Sequence, residues 1–344
     1  MRLVSYKNKT YTQRLGLYLD GRMLDLQKGG QELSLRLPSN MKEFLEGGKE
    51  LLDLAKKVQE AYLAGEIKAT DSQDEVFLLA PVPQPASCRD AYAFRQHVAA
   101  ARRNRGLDMI PEFDQYPVFY YTNHTAIVGP GDVVVEKDHL QKLDFELELA
   151  VVIGKPGKNI PSSGADSYIA GFMIMNDFSA RVLQAEEMLL NLGPAKGKDF
   201  ATALGPWLVT PDELEEYKIE TQFGNKYNLP MAAYHNGKSV SQGNSQDMNW
   251  TFAEIIERCS YGVEIRPGDV IGSGTVGTGC YLELNGTRAL EAKQRGETYE
   301  PVWLKEGDTI ELEITGLGTL ENKIVKAGGD YSILAKKKNV GVRA

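Results

Sequence analysis

Cysteine is scarce in this 344-residue sequence: Cys88, Cys259 and Cys280 stand alone, an odd number with no paired spacing. That pattern supports neither a disulfide framework nor a zinc motif, so each reads as a small buried apolar side chain. Long hydrophobic runs are missing too, none approaching the roughly 18 residues of a membrane span. The opening Met1-Arg2-Leu3-Val4-Ser5-Tyr6-Lys7 is polar and strand-like rather than a signal peptide. A cytoplasmic protein without a membrane partner is expected. Positive charge is in deficit: 39 Lys+Arg against 47 Asp+Glu give a formal charge of -8, which disfavours nucleic acid and anionic lipid as partners. Neither internal repeats at periods of about 20 to 50 residues nor low-complexity tracts occur. What remains is ordinary for a folded soluble chain, 42% hydrophobic and 25% charged. Its length predicts one large domain with a smaller companion.

Residues 1–80 carry short strand-like runs (Arg2 to Tyr6, Arg14 to Leu19, Arg22 to Asp25). A helix is expected over Met41 to Leu63, capped by Asn40, with Phe44, Leu45, Leu51, Leu52, Leu54, Ala55, Val58 and Ala61 at three and four spacing. This predicts a small α+β domain. Three alternating prolines in Ala80-Pro81-Val82-Pro83-Gln84-Pro85 force an extended connection, which places a boundary there and a second domain over 81–344. Beyond it, strand runs and turn signals dominate: Gly131-Asp132, Asn236-Gly237, Gly268-Asp269, Asn285-Gly286 and Gly307-Asp308. Helical periodicity appears in only a few places, chiefly Ser179 to Leu190 and Thr251 to Cys259, the latter with Asp247-Met248-Asn249-Trp250 as a candidate cap. So many closely spaced strands predict a β-rich α+β fold, a large mixed β-sandwich or roll rather than a doubly wound parallel sheet.

One stretch organises the chemistry. Leu143 to Gly154 alternates acids with apolar residues, so as a strand it sends Asp144, Glu146 and Glu148 to one face. Residues i and i+2 lie about 6.5–7 Å apart along a strand, a span two glutamates can close over one cation. The alternative is a solvated edge strand whose charge opposes aggregation. Other candidates are scattered. Asp90 precedes His97 by seven residues just past the linker. Asp177 ends an apolar strand in Asn176-Asp177-Phe178-Ser179, where it or Ser179 could equally cap the next helix. Arg181 and Gln184 share a face near that helix's start, where an anion is welcome. Gly197-Lys198 lies in a glycine-rich basic loop without a phosphate-loop pattern. Gly272-Ser273-Gly274-Thr275 permits close backbone approach but also suits a tight turn.

In order and spacing, Asp90 with His97, Glu146-x-Glu148, Asn176-Asp177-x-Ser179-Ala180-Arg181-x-x-Gln184, Gly197-Lys198-x-x-x-Thr202 and Gly272-Ser273-Gly274-Thr275 resemble the motifs of the fumarylacetoacetate hydrolase family. The resemblance runs from about Pro81 to Ile324 and is nearest to the fumarylacetoacetase branch. It implies a β-roll or sandwich catalytic domain, a homodimer, and a divalent Mg2+ or Ca2+ held by Asp90, Glu146, Glu148 and Asp177, with Lys198 and Thr202 near the metal. It further implies a small-molecule diketo acid substrate, with His97 as base, Glu283 orienting it, and Lys198, Arg181 and Gln184 stabilising an oxyanion. Tyr92, Tyr120, Arg181, Gln184 and Thr275 match substrate contacts. The function implied first is hydrolysis of a carbon-carbon bond in a β-diketo acid, fumarylacetoacetate at the end of tyrosine breakdown foremost. The alternatives are acylpyruvate hydrolysis, or decarboxylation, isomerisation or hydration of a 2-oxo acid on the same metal site. A non-enzymatic ligand-binding or scaffold protein is the third class. The fumarylacetoacetase branch carries an arginine nine residues after its histidine, whereas position 106 here is glycine. His124, His139 and His235 match no motif and are expected to be structural.

Overall fold

Short runs rich in leucine and valine at the start of the chain pair as antiparallel neighbours: β1 (Arg2–Lys7) with β2 (Gln13–Leu19), and β2 with β3 (Arg22–Asp25). The computed structural model, which describes residues 1–336, shows that this is the flank of a much larger sheet. Its centre is built from β4 (Cys88–Ala91), β6 (Leu147–Ile153), β7 (Ile169–Asp177), β8 (Thr202–Val209) and β9 (Val270–Gly272). The order is β3-β2-β1-β8-β7-β6-β9-β4, and β1 joins through Leu3 opposite Leu208. The sheet therefore crosses the proline-rich segment without interruption. Residues 337–344 of the expected 81–344 domain lie outside the described residues.

Both faces of the sheet are covered, which explains why its central strands are apolar on both sides. On one face Met173, Met175, Leu204 and Leu208 pack with Leu17, Leu24, Phe44, Ala55 and Val58 of the N-terminal part. On the other, Leu149, Val151, Phe172 and Ile174 meet Ile310, Leu312, Ile314 and Leu320 of a second, five-stranded sheet. The result is a large β-rich α+β domain of mixed sheets, as the strand density predicts.

Four local expectations need correction. The helix of residues 41–63 is two helices, α2 (Met41–Glu46), which Asn40 does cap, and α3 (Gly48–Leu63); α1 is Leu26–Glu32. Gly48 has φ +55°, a left-handed turn that a continuous helix cannot contain. Next, α5 (Arg181–Met188) starts at Ala180 with no side-chain cap, because Asp177 is still in β7 and Ser179 donates its hydroxyl to the Asp177 carbonyl at 3.0 Å. The cap of α6 (Phe252–Ser260) is Thr251, in a reciprocal capping box with Glu254, not the 247–250 segment. Finally, the expected helices omit α4 (Arg95–Arg103) and α7 (Tyr281–Gln294), as they do α1 and a short turn of helix at Ser162–Ala165. Asn285-Gly286, which reads as a turn, lies inside α7. Asn285 accepts from Tyr299 Oη at 2.8 Å and Val302 N at 3.0 Å, and a Cβ on Gly286 would lie 2.5 Å from Asn104 Nδ2 of α4. Packing of α7 on its neighbours thus overrides the local turn signal.

Candidate active site

The acid-bearing strand does not run straight. β5 (Leu143–Asp144) pairs with Ser179–Ala180, the chain breaks at Phe145-Glu146, and β6 resumes at Leu147. Asp144, Glu146 and Glu148 consequently take different partners instead of lining one face. All three are buried, which removes the solvated-edge reading. Asp144 turns away to Arg181, as described below. Glu146 is held by Arg181 Nη2 at 2.8 Å and by Lys198 Nζ, and its amide donates to Asn176 Oδ1 at 3.0 Å.

Sheet register gathers the other acids. Asp90 on β4 stands beside Gly272 on β9, and Asp177 beside Thr202 on β8. Asp90, Glu146, Glu148 and Asp177 are all buried, and one carboxylate oxygen from each lies within 4.8 Å of the others. A Cβ at Gly272 would come within 2.7 Å of Asp90 Oδ1 and 2.9 Å of Glu148 Oε2. Glycine there keeps the cradle open. Gly274, at φ +80°, turns its amide to donate to both the same Asp90 oxygen at 3.1 Å and Glu148 Oε2 at 3.2 Å.

Four converging oxygen donors, with Asp177 Oδ1 buried and without a hydrogen-bond partner among the described residues, fit a hard divalent cation better than a soft one. The local charges follow the same geometry. Burial and the Asp177 carboxylate push Asp90 up to about 7, and burial with Asp90 and Asp177 pushes Glu148 well up. Burial would raise Glu146 also, but Lys198 and Arg181 outweigh it and hold that carboxyl low. Lys198 stays firmly protonated because Asp177 and Glu146 outweigh its burial.

A titration prediction arises here. Without a cation the folded protein keeps a proton on Asp90 that the unfolded chain has released, so between its ordinary value of 3.8 and about 7 the folded state binds more protons. Stability contributed by that protonated form is therefore lost as pH rises through this window. A cation held by these carboxylates would displace the proton and reverse the trend. The gain in melting temperature from added Mg2+ or Ca2+ is expected to grow with pH over that window. A gain independent of pH would remove the Asp90–Glu148 pair from the ligand set.

Beside the acids sits an imidazole–carboxylate pair. His97, buried on the first turn of α4, has Nδ1 2.6 Å from Glu283 Oε2 on the first turn of α7, while Glu283 Oε1 accepts from Thr278 N at 3.0 Å. Tyr92 meets the imidazole edge-on, ring centroids 6.0 Å apart. Tyr120 donates to Asp177 Oδ2 at 2.5 Å, as does Lys198 Nζ at 2.5 Å. Thr275 Oγ1 is 3.4 Å from Glu148 Oε1. Thr202 is buried beside Asp177 in register, with no side-chain bond to the acids recorded among the described residues. Gln184 accepts from Arg181 Nη1 at 2.9 Å, one step removed from the carboxylates. A cavity of about 710 Å³ lies between α4 and α7 and reaches the pair from the Glu283 side, bordered by Gln96, Arg103 and Thr287. None of the four acids lines it.

A neighbour of the site that sequence reasoning missed is Cys280: its sulfur, a ring nitrogen of His97 and a Glu146 oxygen lie within 4.8 Å of one another. Position immediately before Tyr281-Leu282-Glu283 was the one available signal. Of the unmatched histidines, His139 stacks on Phe200 at 4.0 Å, and His235 lies between Tyr281 Oη at 2.5 Å and Asp308 at 2.9 Å.

Residues 87–325 match the family model described as fumarylacetoacetate hydrolase, C-terminal. The chain belongs to the fumarylacetoacetate hydrolase family. Its relatives shift the emphasis within that family. Human mitochondrial oxaloacetate tautomerase FAHD2A is 32% identical over 88% of this chain and 86% of its own. Oxaloacetate tautomerase YisK of Bacillus subtilis is 29% identical over 90% of this chain and 95% of its own. The solved structure of a fumarylacetoacetate hydrolase from Exiguobacterium antarcticum shares the fold, with a TM-score of 0.67, 23% identity, and coverage of 95% of this chain and 100% of that one. The protein is thus an enzyme of the fumarylacetoacetate hydrolase superfamily, but hydrolysis of fumarylacetoacetate in particular, and with it a place in tyrosine breakdown, finds no specific support among these relatives. No described helix is long and apolar enough to cross a membrane.

Proposed function

We propose that this chain, acting as a homodimer, catalyses keto–enol tautomerisation of a small 2-oxo dicarboxylic acid, oxaloacetate first, on a Mg2+ or Ca2+ ion. The observation that carries the reading is the His97–Glu283 pair set against the carboxylate cluster, in a chain whose relatives are named oxaloacetate tautomerases. When bound by Asp90, Glu146, Glu148 and Asp177, the cation would supply Lewis-acid polarisation of the substrate oxygens.

The chain's own groups then move one proton. Glu283 accepts from Nδ1–H of His97 and so leaves Nε2 as the basic nitrogen. Nε2 takes the enol O–H proton, and the imidazolium returns it to C3, giving the ketone; the reverse order gives the enol. No atom is gained or lost. The Glu283 carboxylate steadies the imidazolium between the two transfers. Lys198 and Arg181, both buried and cationic, fix Glu146 and favour an anionic substrate at the same place. At position 106 glycine, at φ +71° with open space where a Cβ would stand, offers no cationic arm for a distant carboxylate. The neighbouring Arg102, Arg103 and Arg105 are engaged with Asp108 O, Thr287 Oγ1 and Ala101 O. A short diacid suits that arrangement better than fumarylacetoacetate.

Oxaloacetate enol, an acylpyruvate and fumarylacetoacetate should be assayed side by side by loss of enol absorbance, with Mg2+ and with chelator. Faster turnover of oxaloacetate, restored by Mg2+ after chelation, is the expected result. Preferred cleavage of either diketo acid, shown by its carboxylic acid products, would return the protein to the carbon-carbon hydrolases.

A further inference from the structure

The four-carboxylate cradle is not the only set of metal-ligating atoms in the centre. A ring nitrogen of His97, an oxygen of Glu146 and the sulfur of Cys280 converge within 4.8 Å of one another, and all three residues are buried. The donor set differs in kind from the neighbouring one. Imidazole nitrogen, thiolate sulfur and a carboxylate oxygen suit a borderline or soft ion such as Zn2+, whereas all-oxygen sites suit Mg2+ or Ca2+. In a tetrahedral zinc site, bonds of about 2.0–2.3 Å place ligand atoms about 3.5 Å apart, so side-chain adjustments of about 1 Å close the three onto one ion.

Two further features point the same way. Metal-bound histidines characteristically give their second ring N–H to a carboxylate, which fixes the tautomer and raises the basicity of the ligating nitrogen. Glu283 Oε2 stands 2.6 Å from His97 Nδ1 in that role, leaving Nε2 to bind. Glu146, already paired with Arg181 at 2.8 Å and with Lys198, would share one oxygen with the ion, and three protein ligands leave a fourth position for solvent. Cys280 is a free cysteine that the proton transfer does not use, and it is anchored on the turn that starts α7.

We propose that His97, Cys280 and Glu146 form an inhibitory site for Zn2+ and like thiophilic ions, distinct in chemistry from the carboxylate cradle but sharing Glu146 with it. Occupancy takes the lone pair of His97 Nε2 and so stops proton transfer, while the thiol proton is released to solvent. The proposal rests on the functional reading only for its inhibitory consequence. The binding itself can be read without substrate.

The test uses the Mg2+-loaded enzyme. Titration with Co2+ should develop the near-ultraviolet charge-transfer absorption of a cobalt–thiolate bond, and Cys280→Ala should abolish it. In parallel, Zn2+ should inhibit in the presence of saturating Mg2+. Cys280→Ala and Cys280→Ser should keep basal turnover but require at least about tenfold more Zn2+ for half-inhibition, the scale on which a metal site responds to loss of a supporting group. Absence of the thiolate band in the wild type overturns the site, as does unchanged zinc sensitivity in the variants, which would place the inhibitory ion in the carboxylate cradle. A thiolate band in an enzyme that leaves oxaloacetate untouched would keep the site and sink the tautomerase reading instead.

Discussion

His97→Ala lowers turnover by about 10²- to 10⁴-fold, the contribution of a positioned general base, and leaves divalent cation binding intact. The separation follows from geometry. His97 reaches the site from α4 and is held by Glu283 of α7, whereas the four carboxylates come from strands and their edges in the large sheet. Removing the imidazole therefore takes the proton carrier and leaves the cradle. Glu283→Gln should fall between the variant and the wild type, since the amide can still accept from Nδ1–H but no longer steadies the imidazolium. Calorimetric titration with Mg2+ and Ca2+, alongside initial rates, reads both quantities in one preparation. His97→Asn, closer in volume, controls for the buried space that alanine leaves. Turnover within threefold of wild type in both His97 variants would take His97 out of the mechanism; a lost cation site in both would place it among the ligands.

How far this centre was legible in the sequence depends on the separation of its parts. Glu146 and Glu148 are visible from alternation alone, because two acids two residues apart inside an apolar run demand an explanation. Their conversion from surface charge to a cation cradle needs Asp90 and Asp177, and only sheet order brings those close, through Gly272 beside Asp90 and Thr202 beside Asp177. Motif order supplied that link. What local pattern could not show is the pair of helices holding His97 and Glu283. α7 opens after a glycine-rich turn and contains Asn285-Gly286, a strong turn signal that long-range bonds from Tyr299 and Val302 override. The proline-rich segment reads locally as a boundary, yet Leu3 opposite Leu208 carries the sheet across it, a pairing some 200 residues apart that no local signal encodes.

Asp144 carries the largest structural prediction. It shares the alternation of Glu146 and Glu148 but stays out of the cradle because the strand breaks after it, and it is fully buried. One carboxylate then serves two helices. Its oxygens accept from Tyr281 N at 2.7 Å and Leu282 N at 2.9 Å, the unsatisfied amides that begin α7, where a negative charge is favoured. They also take Arg181 at Nε, 2.8 Å, and Nη2, 2.7 Å, from the first turn of α5. Glu283 lies two residues beyond Tyr281, and Arg181 holds Glu146, so Asp144 ties the His97–Glu283 pair to the carboxylate cluster. Asp144→Ala leaves a buried guanidinium short of its main partner, an effect of about 3–5 kcal/mol, with loss of the helix-end bonds adding about 1 kcal/mol. Asp144→Asn keeps one acceptor for α7 but turns N–H groups toward Arg181, so it should fold and still lose more in kcat than in KM. Denaturant unfolding of both variants, with kinetics on Asp144→Asn, checks the argument. An alanine variant within about 1 kcal/mol of the parent would show that Glu146 alone satisfies Arg181, and that the two helices reach the site without Asp144 between them.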